Sequence, residues 1–331
     1  MERQPVLVLG AGSWGTALAI TLARNQQTVD LWDIDTAHIM SLRKNRCNQT
    51  HIPTVDFPEN LNPIDDISDS AYKGRDVIIA VPCRALHDVL ERLGSINPAH
   101  ICLACKGFEA GTQKLNHQVV YDCLGDIPTA VLSGPSFATE VARGLPTAVT
   151  IASEDIETAR CFSDLFHSDV FRAYTHDDVV GVQVGGAVKN VMAIAAGIAD
   201  GLGFGANTRA ALITRGLVEI IRLGTVLGAC QETFMGLAGL GDLVLTCTDD
   251  QSRNRRLGLL LAKGTSLEDA SYQIGQTIEG IRTATEVAAL AARHQIEMPI
   301  TEQVVRVLNQ ETSPQDAVQA LLAREPKSEL Y

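Results

Sequence analysis

Positive charge is scarce in this 331-residue chain: 27 lysines and arginines stand against 39 acidic residues, a formal net charge of -12. That balance excludes a broad phosphate-backbone partner such as nucleic acid, so any bound phosphate needs a local basic cluster. An uninterrupted apolar run of about 20 residues, enough to cross a bilayer, is missing as well. The longest apolar stretch, residues 179–201, is broken by Gln183, Lys189, Asn190 and Asp200, and no membrane span is expected. The opening Met-Glu-Arg-Gln-Pro, followed by Val-Leu-Val-Leu-Gly, has too short an apolar run and no small-residue cleavage site for a secretory leader, so a cytoplasmic protein is expected. Paired metal-ligand spacings are absent. Eight cysteines are scattered, and Cys102-x-x-Cys105 sits in a strand-like run without a second pair, which reads as buried thiols and assigns no metal to the chain. No internal repeat or low-complexity segment is present.

Apolar residues make up 46% and charged ones 20%, a globular composition. A chain of this length is expected to form two domains, because single cores stop growing at roughly 250 to 300 residues. The first signal is a short apolar run ending at Leu9 that empties into Gly10-Ala11-Gly12-Ser13-Trp14-Gly15 and then a helical pattern. Gly-x-Gly-x-x-Gly between strand and helix is a dinucleotide fingerprint: Gly10 permits the turn, Gly12 lets the backbone approach a pyrophosphate and Gly15 lets helix pack on strand. A ligand-free glycine turn is the bland alternative. A second strand, Thr28 to Trp32, ends at Asp33, where an acid hydrogen-bonds the adenosine ribose and repels a 2'-phosphate. NAD is favoured over NADP, with Arg43 and Arg46 able to counter Asp33 if the next helix brings them round.

Residues 45–67, with three prolines, read as an irregular crossing. Strand-like runs follow at 76–82, 101–105, 130–133, 147–152 and 170–174, with helices between. The run 101–105 delivers Lys106 to the sheet edge where ligands bind, as a grip on cofactor or substrate or as a merely solvated lysine. After about residue 177 everything has helical period. The expected organisation is an α/β Rossmann-type dinucleotide-binding domain over 1–178 followed by an all-α C-terminal domain over 179–331.

That second part opens on the 179–201 helix, whose one cation is Lys189, the only lysine between Lys114 and Lys263. Gly185, Gly186, Met192 and Ala193 flank it at helical spacing and leave room above the ammonium group. Poor solvation favours the neutral amine and lowers its pKa toward neutrality, which describes a general acid/base. A snorkelling lysine with its head in water fits the helix equally well. Further on, Gly236 to Asp242 is a second glycine-rich turn, and Ser252-Arg253-Asn254-Arg255-Arg256 opens a helix. Arginines at a helix start suit a phosphate dianion, or form an exposed basic face balanced by Asp249 and Asp250. Glu279 is carried as a cofactor contact, and Pro299 reads as a break.

Taken together, Gly10 to Ala17, Lys106-Gly107, Ser133 to Ala138, Gly185 to Asn190, Gly236 to Asp242 and Ser252-Arg253-Asn254 resemble the signature segments of bacterial NAD(P)-dependent glycerol-3-phosphate dehydrogenases. The likeness covers almost the whole chain. It implies that Lys189 exchanges the proton at the C2 oxygen as dihydroxyacetone phosphate and sn-glycerol 3-phosphate interconvert, supplying the phospholipid backbone. It further implies substrate contacts at Lys106, Gly134, Ser136, Lys189, Asp242, Ser252, Arg253 and Asn254. Cofactor contacts fall at Gly10, Gly12, Ser13, Trp14, Gly15, Asp33, Lys106, Ala138, Arg253 and Glu279, with NAD or NADP bound, no metal and a homodimer expected. Two positions depart from the family pattern: Asp33-Ile34-Asp35, where a basic or histidine residue is frequent, and Ala206 in place of an acid or amide. A β-hydroxyacid dehydrogenase of the 6-phosphogluconate dehydrogenase type is the alternative enzyme, although that type places an asparagine four residues after its lysine, where Ala193 stands here. A non-catalytic NAD-sensing module is the alternative from another class.

Overall fold

The computed structural model describes residues 4–68 and 72–325. Ten strands occur among them: β1 (Val6–Leu9), β2 (Val29–Trp32), β3 (Cys47–Asn48), β4 (Ile52–Asp56), β5 (Leu61–Ile64), β6 (Asp76–Ile79), β7 (His100–Leu103), β8 (Thr129–Ser133), β9 (Thr147–Ala152) and β10 (Phe171–His176). The helices between them are α1 (Ser13–Arg24), α2 (Thr36–Asn45), α3 (Leu86–Leu93), α4 (Asn116–Leu124), α5 (Ala138–Ala142) and α6 (Ile156–Phe166). Eight strands form one sheet in the order β10-β9-β8-β7-β6-β1-β2-β5, while β3 and β4 make a separate antiparallel ribbon. The central strands are apolar on both faces, as burial under helices on each side requires, with Val6, Leu7, Val8 and Leu9 at most 2% exposed. Between β1 and β6 the order of connection reverses, which opens a crevice at the strands' carboxyl ends.

Two features depart from the sequence reading. The crossing over 45–67 contains the β3–β4 ribbon and β5, which pairs in parallel with β2 at the sheet edge. Pro63 hid that strand, yet an edge strand tolerates a proline because one side needs no ladder N–H. β9 runs antiparallel to β8, so the sheet is mixed.

After β10 the chain is helical: α7 (Val179–Gly201), α8 (Ala206–Val226), α9 (Asp242–Thr248), α10 (Arg253–Ala262), α11 (Leu267–Ile274), α12 (Glu279–His294), α13 (Pro299–Leu308) and α14 (Pro314–Leu322). The second glycine-rich segment is one turn of π-helix over Leu237–Gly241 that runs straight into α9. Pro299 begins α13, since a first-turn proline lacks only an N–H the helix has no use for. α7 is the axle of this half. By length and composition it is apolar enough to cross a membrane, but 94% of its apolar window is buried inside the protein. Its closest neighbour is α10, which it meets through bare backbone: a Cβ on Gly258 would fall 2.1 Å from the Ile194 carbonyl oxygen, and one on Gly197 2.1 Å from that of Arg255.

Candidate active site

Chain geometry at the end of β1 follows from the three glycines. Gly10 has φ +103°, and a Cβ there would press to 2.9 Å from the Ala80 carbonyl at the end of β6; at Gly15 it would collide with Gly10. Gly12 is different: a Cβ would meet nothing within 4 Å, so the loop faces open space. α1 starts there with Gly12 as its N-cap and no side-chain acceptor, and the Trp14 indole Nε1 is buried without a partner. These unengaged donors at a helix start fit the pyrophosphate of a dinucleotide. Ala138, at the start of α5, packs on the same apolar cluster as Trp14.

Asp33 holds this loop, its carboxylate accepting from Ala11 N at 2.7 Å and from Asp35 N at 3.1 Å. Arg43 and Arg46 do not come round to it. Arg43 donates to the Pro63 carbonyl and Asp65, and Arg46 to the carbonyls of Leu61 and Pro58. Residues that the sequence reading missed also line the loop: Asn48, fully buried, donates to Ala11 O and Thr16 Oγ1, and His38 Nε2 lies 3.2 Å from Ala11 O. Asn48 comes from the segment read as irregular and His38 from α2, and nothing in their linear spacing pointed to the glycine loop. His51, edge-on to His38, is held below the ordinary histidine range by burial and then by His38 and Arg253. It is therefore neutral at pH 7.

At the carboxyl end of β7, Lys106 donates to Asp242 Oδ2 at 2.6 Å and reaches Gly134 O at 3.3 Å. From the other side Lys189, on α7, donates to Asp242 Oδ1. One carboxylate, 1% exposed, thus serves two ammonium groups. Burial alone would raise the Asp242 pKa, but Lys106 and Lys189 together hold it below the usual carboxylate range. With Asp242 ionised, the second ammonium is in excess. Burial, opposed by Asp242 and reinforced by the like charge of Lys106, brings the Lys189 pKa down to about 7. Lys189 is 8% exposed, so the snorkelling arrangement is not what the fold adopts. Thr246 Oγ1 donates to the Asp242 carbonyl at 2.6 Å and fixes the first turn of α9.

The remaining expected residues surround this group without all touching it. Ser136 Oγ donates to Gly134 O at 3.2 Å. Ser252 is the N-cap of α10, accepting from Arg255 N. Asn254 donates to Asn190, the neighbour of Lys189, and accepts from Gly280 N at the start of α12. Arg253 donates to Thr277 O and lies close enough to Glu279 and His51 for its charge to act on both. Glu279 is raised by burial against the pull of Arg253, Arg84 and Arg282. Arg255 is ion-paired with Asp200 and Asp250, so its charge is already taken up.

Two family models match the chain: NAD-dependent glycerol-3-phosphate dehydrogenase N-terminus over residues 5–159, and the C-terminus of the same family over 178–319. The glycerol-3-phosphate dehydrogenase [NAD(P)+] of Nitrosococcus oceani is 54% identical, with 99% of this chain and 96% of that protein covered. That of Bartonella henselae is 52% identical over 100% of this chain and 98% of its own length. Among solved structures, glycerol-3-phosphate dehydrogenase from Coxiella burnetii superposes with a TM-score of 0.94 at 48% identity, covering 98% of this chain and 100% of that one.

Proposed function

The chain belongs to the NAD-dependent glycerol-3-phosphate dehydrogenase family, and from that premise we propose that it interconverts dihydroxyacetone phosphate and sn-glycerol 3-phosphate, with Lys189 handling the proton. The observation that carries this reading is the buried Lys189–Asp242–Lys106 cluster beside the glycine crevice. A bound nicotinamide coenzyme supplies the hydride to C2, or takes it in reverse. In reduction the Lys189 ammonium gives its proton to the C2 oxygen as charge develops there; in oxidation the neutral amine takes it back. Asp242 keeps the lysine aimed and adjusts its basicity. Lys106, donating to the other oxygen of Asp242, stabilises the developing negative charge, a role worth most in a site closed to water. Arg253 and the amides at the α10 start offer donors for the phosphate, with Ser252 and Asn254 holding that helix start in place.

Asp33 follows the second strand, where the dinucleotide fingerprint calls for an acid that repels a 2'-phosphate, Arg43 and Arg46 are engaged elsewhere, and His51 is held below the ordinary histidine range. These features favour NADH over NADPH, by about tenfold or more if the repulsion is worth about 1.4 kcal/mol. The family likeness also supports a cytoplasmic homodimer serving phospholipid synthesis. The test is an absorbance assay at the nicotinamide band with dihydroxyacetone phosphate, run with NADH and NADPH in parallel. Oxidation of NADH that depends on this substrate is expected; no turnover with either coenzyme would overturn the assignment, and faster turnover with NADPH would overturn the preference.

A further inference from the structure

The amino end of the sheet, remote from the glycine loop and Lys106 at the carboxyl ends, carries a second cluster with metal-ligand chemistry. Asp76 and His100 are the first residues of β6 and β7 and are register partners. Residues so paired on adjacent parallel strands project from the same face. His100 Nδ1 lies 2.7 Å from Asp76 Oδ1, and Cys161, reaching in from α6, places its sulfur 3.9 Å from Asp76 Oδ2. One donor atom from each of the three lies within 4.8 Å of the others. They stand 24 and 85 positions apart in the chain, so no linear spacing advertised them.

We propose that Asp76, His100 and Cys161 form a binding site for a divalent transition metal of the zinc type. Imidazole nitrogen, thiolate sulfur and carboxylate oxygen are the donor set that zinc prefers, whereas magnesium and calcium take oxygen alone. Around a tetrahedral zinc, donors are about 3.3 to 3.7 Å apart given bond lengths of about 2.0 to 2.3 Å; here one donor from each residue lies within 4.8 Å of the others, and side-chain rotation closes the difference. A cavity of about 180 Å³ walled by Gln4, Arg75, Asp76 and Cys161 adjoins two of the three donors, room for a water as fourth ligand, which needs about 10 to 15 Å³ of such space. His100 and Asp76 are 35% and 27% exposed, so an entry path exists.

The charge balance permits a dication. Arg75, the one cation in the cavity wall among the described residues, is already neutralised by Asp30 at 2.8 Å in a largely buried pair. Asp155, close enough for His100 to act on its carboxylate, adds negative potential from the far side. Binding replaces the Cys161 thiol proton by a metal–sulfur bond and releases that proton to solvent. The imidazole keeps its single hydrogen by moving it from Nδ1 to Nε2 through water. One metal in for one proton out makes affinity rise about tenfold per pH unit near neutrality. The bound ion ties β6, β7 and α6 together at the end of the sheet away from the lysine cluster.

The test uses the full-length protein stripped of metal and titrated with Co²⁺, then with Zn²⁺ as competitor. One equivalent of Co²⁺ is expected to produce a thiolate-to-cobalt charge-transfer band with tetrahedral visible bands, both removed by Zn²⁺. Cys161→Ala and His100→Asn are each expected to abolish the one-equivalent signal, with dihydroxyacetone phosphate turnover at the level of the unmutated protein showing that both variants are folded. Absence of the band in the unmutated protein, or its persistence in either variant, would overturn the proposal.

Discussion

Burial first, and then a shared counter-charge, set the proton affinity of Lys189. Loss of solvation lowers it most, and Asp242, which Lys106 also engages, restores only part, leaving a pKa of about 7 while the carboxylate stays ionised. Reduction needs the protonated form, and its rate should fall as pH rises through about 7, whereas oxidation should rise over the same range. Replacing Asp242 with Asn removes the one group that raises the lysine, so both limbs should move to lower pH by a unit or more and kcat should drop by at least about tenfold; an unmoved kcat–pH profile would show that Asp242 does not set the proton affinity. Lys189 itself was legible from its isolation among small apolar residues. Its partner was not: Asp242 lies 53 positions away at the end of a glycine-rich turn, and only the packing of α9 against α7 makes the carboxylate its neighbour.

Among the elements, helix ends decide how the second half is assembled. Glu219, on α8 and 2% exposed, accepts from Ile300 N, Thr301 N and Thr301 Oγ1 at the start of α13. Burial, opposed by those donors, pushes its pKa up to about 7. Because the folded value exceeds the ordinary carboxylate value of 4.5, its contribution to stability is full below that value and fades as pH rises through about 7. Glu219→Ala leaves two buried N–H groups unpaired and should cost about 2 to 4 kcal/mol, measured by urea unfolding. Glu219→Gln keeps an acceptor and should flatten the pH dependence of stability between pH 4.5 and about 7; a dependence identical to that of the unmutated protein would exclude Glu219 as its source. Element boundaries were well marked where caps and glycines punctuate, as at Gly12 and Ser252. They were obscure where tertiary context overrides local preference. β5 is held at the edge by β2 despite Pro63, and the Leu237–Gly241 turn is wound as π-helix where Gly239 packs so closely that a Cβ there would strike the Phe234 backbone.

At the scale of the whole molecule, the site exists only where the two halves meet. The sheet brings the glycine loop and Lys106; the helical half brings Lys189, Asp242 and the α10 start. The order of strands and helices was readable because both periodicities are strong, but the meeting of Lys106 with Asp242 across 136 positions is a property of the packed molecule. Since the glycine loop is held by the sheet half, through Asp33 and Asn48, coenzyme binding and proton transfer should be separable. The decisive measurement is therefore a paired one on Lys189→Met: coenzyme affinity by NADH fluorescence, and turnover of dihydroxyacetone phosphate by NADH absorbance. NADH affinity within about threefold of the unmutated protein, with kcat reduced by on the order of a thousandfold or about 4 kcal/mol, is the predicted result; kcat retained within tenfold would contradict the role given to Lys189.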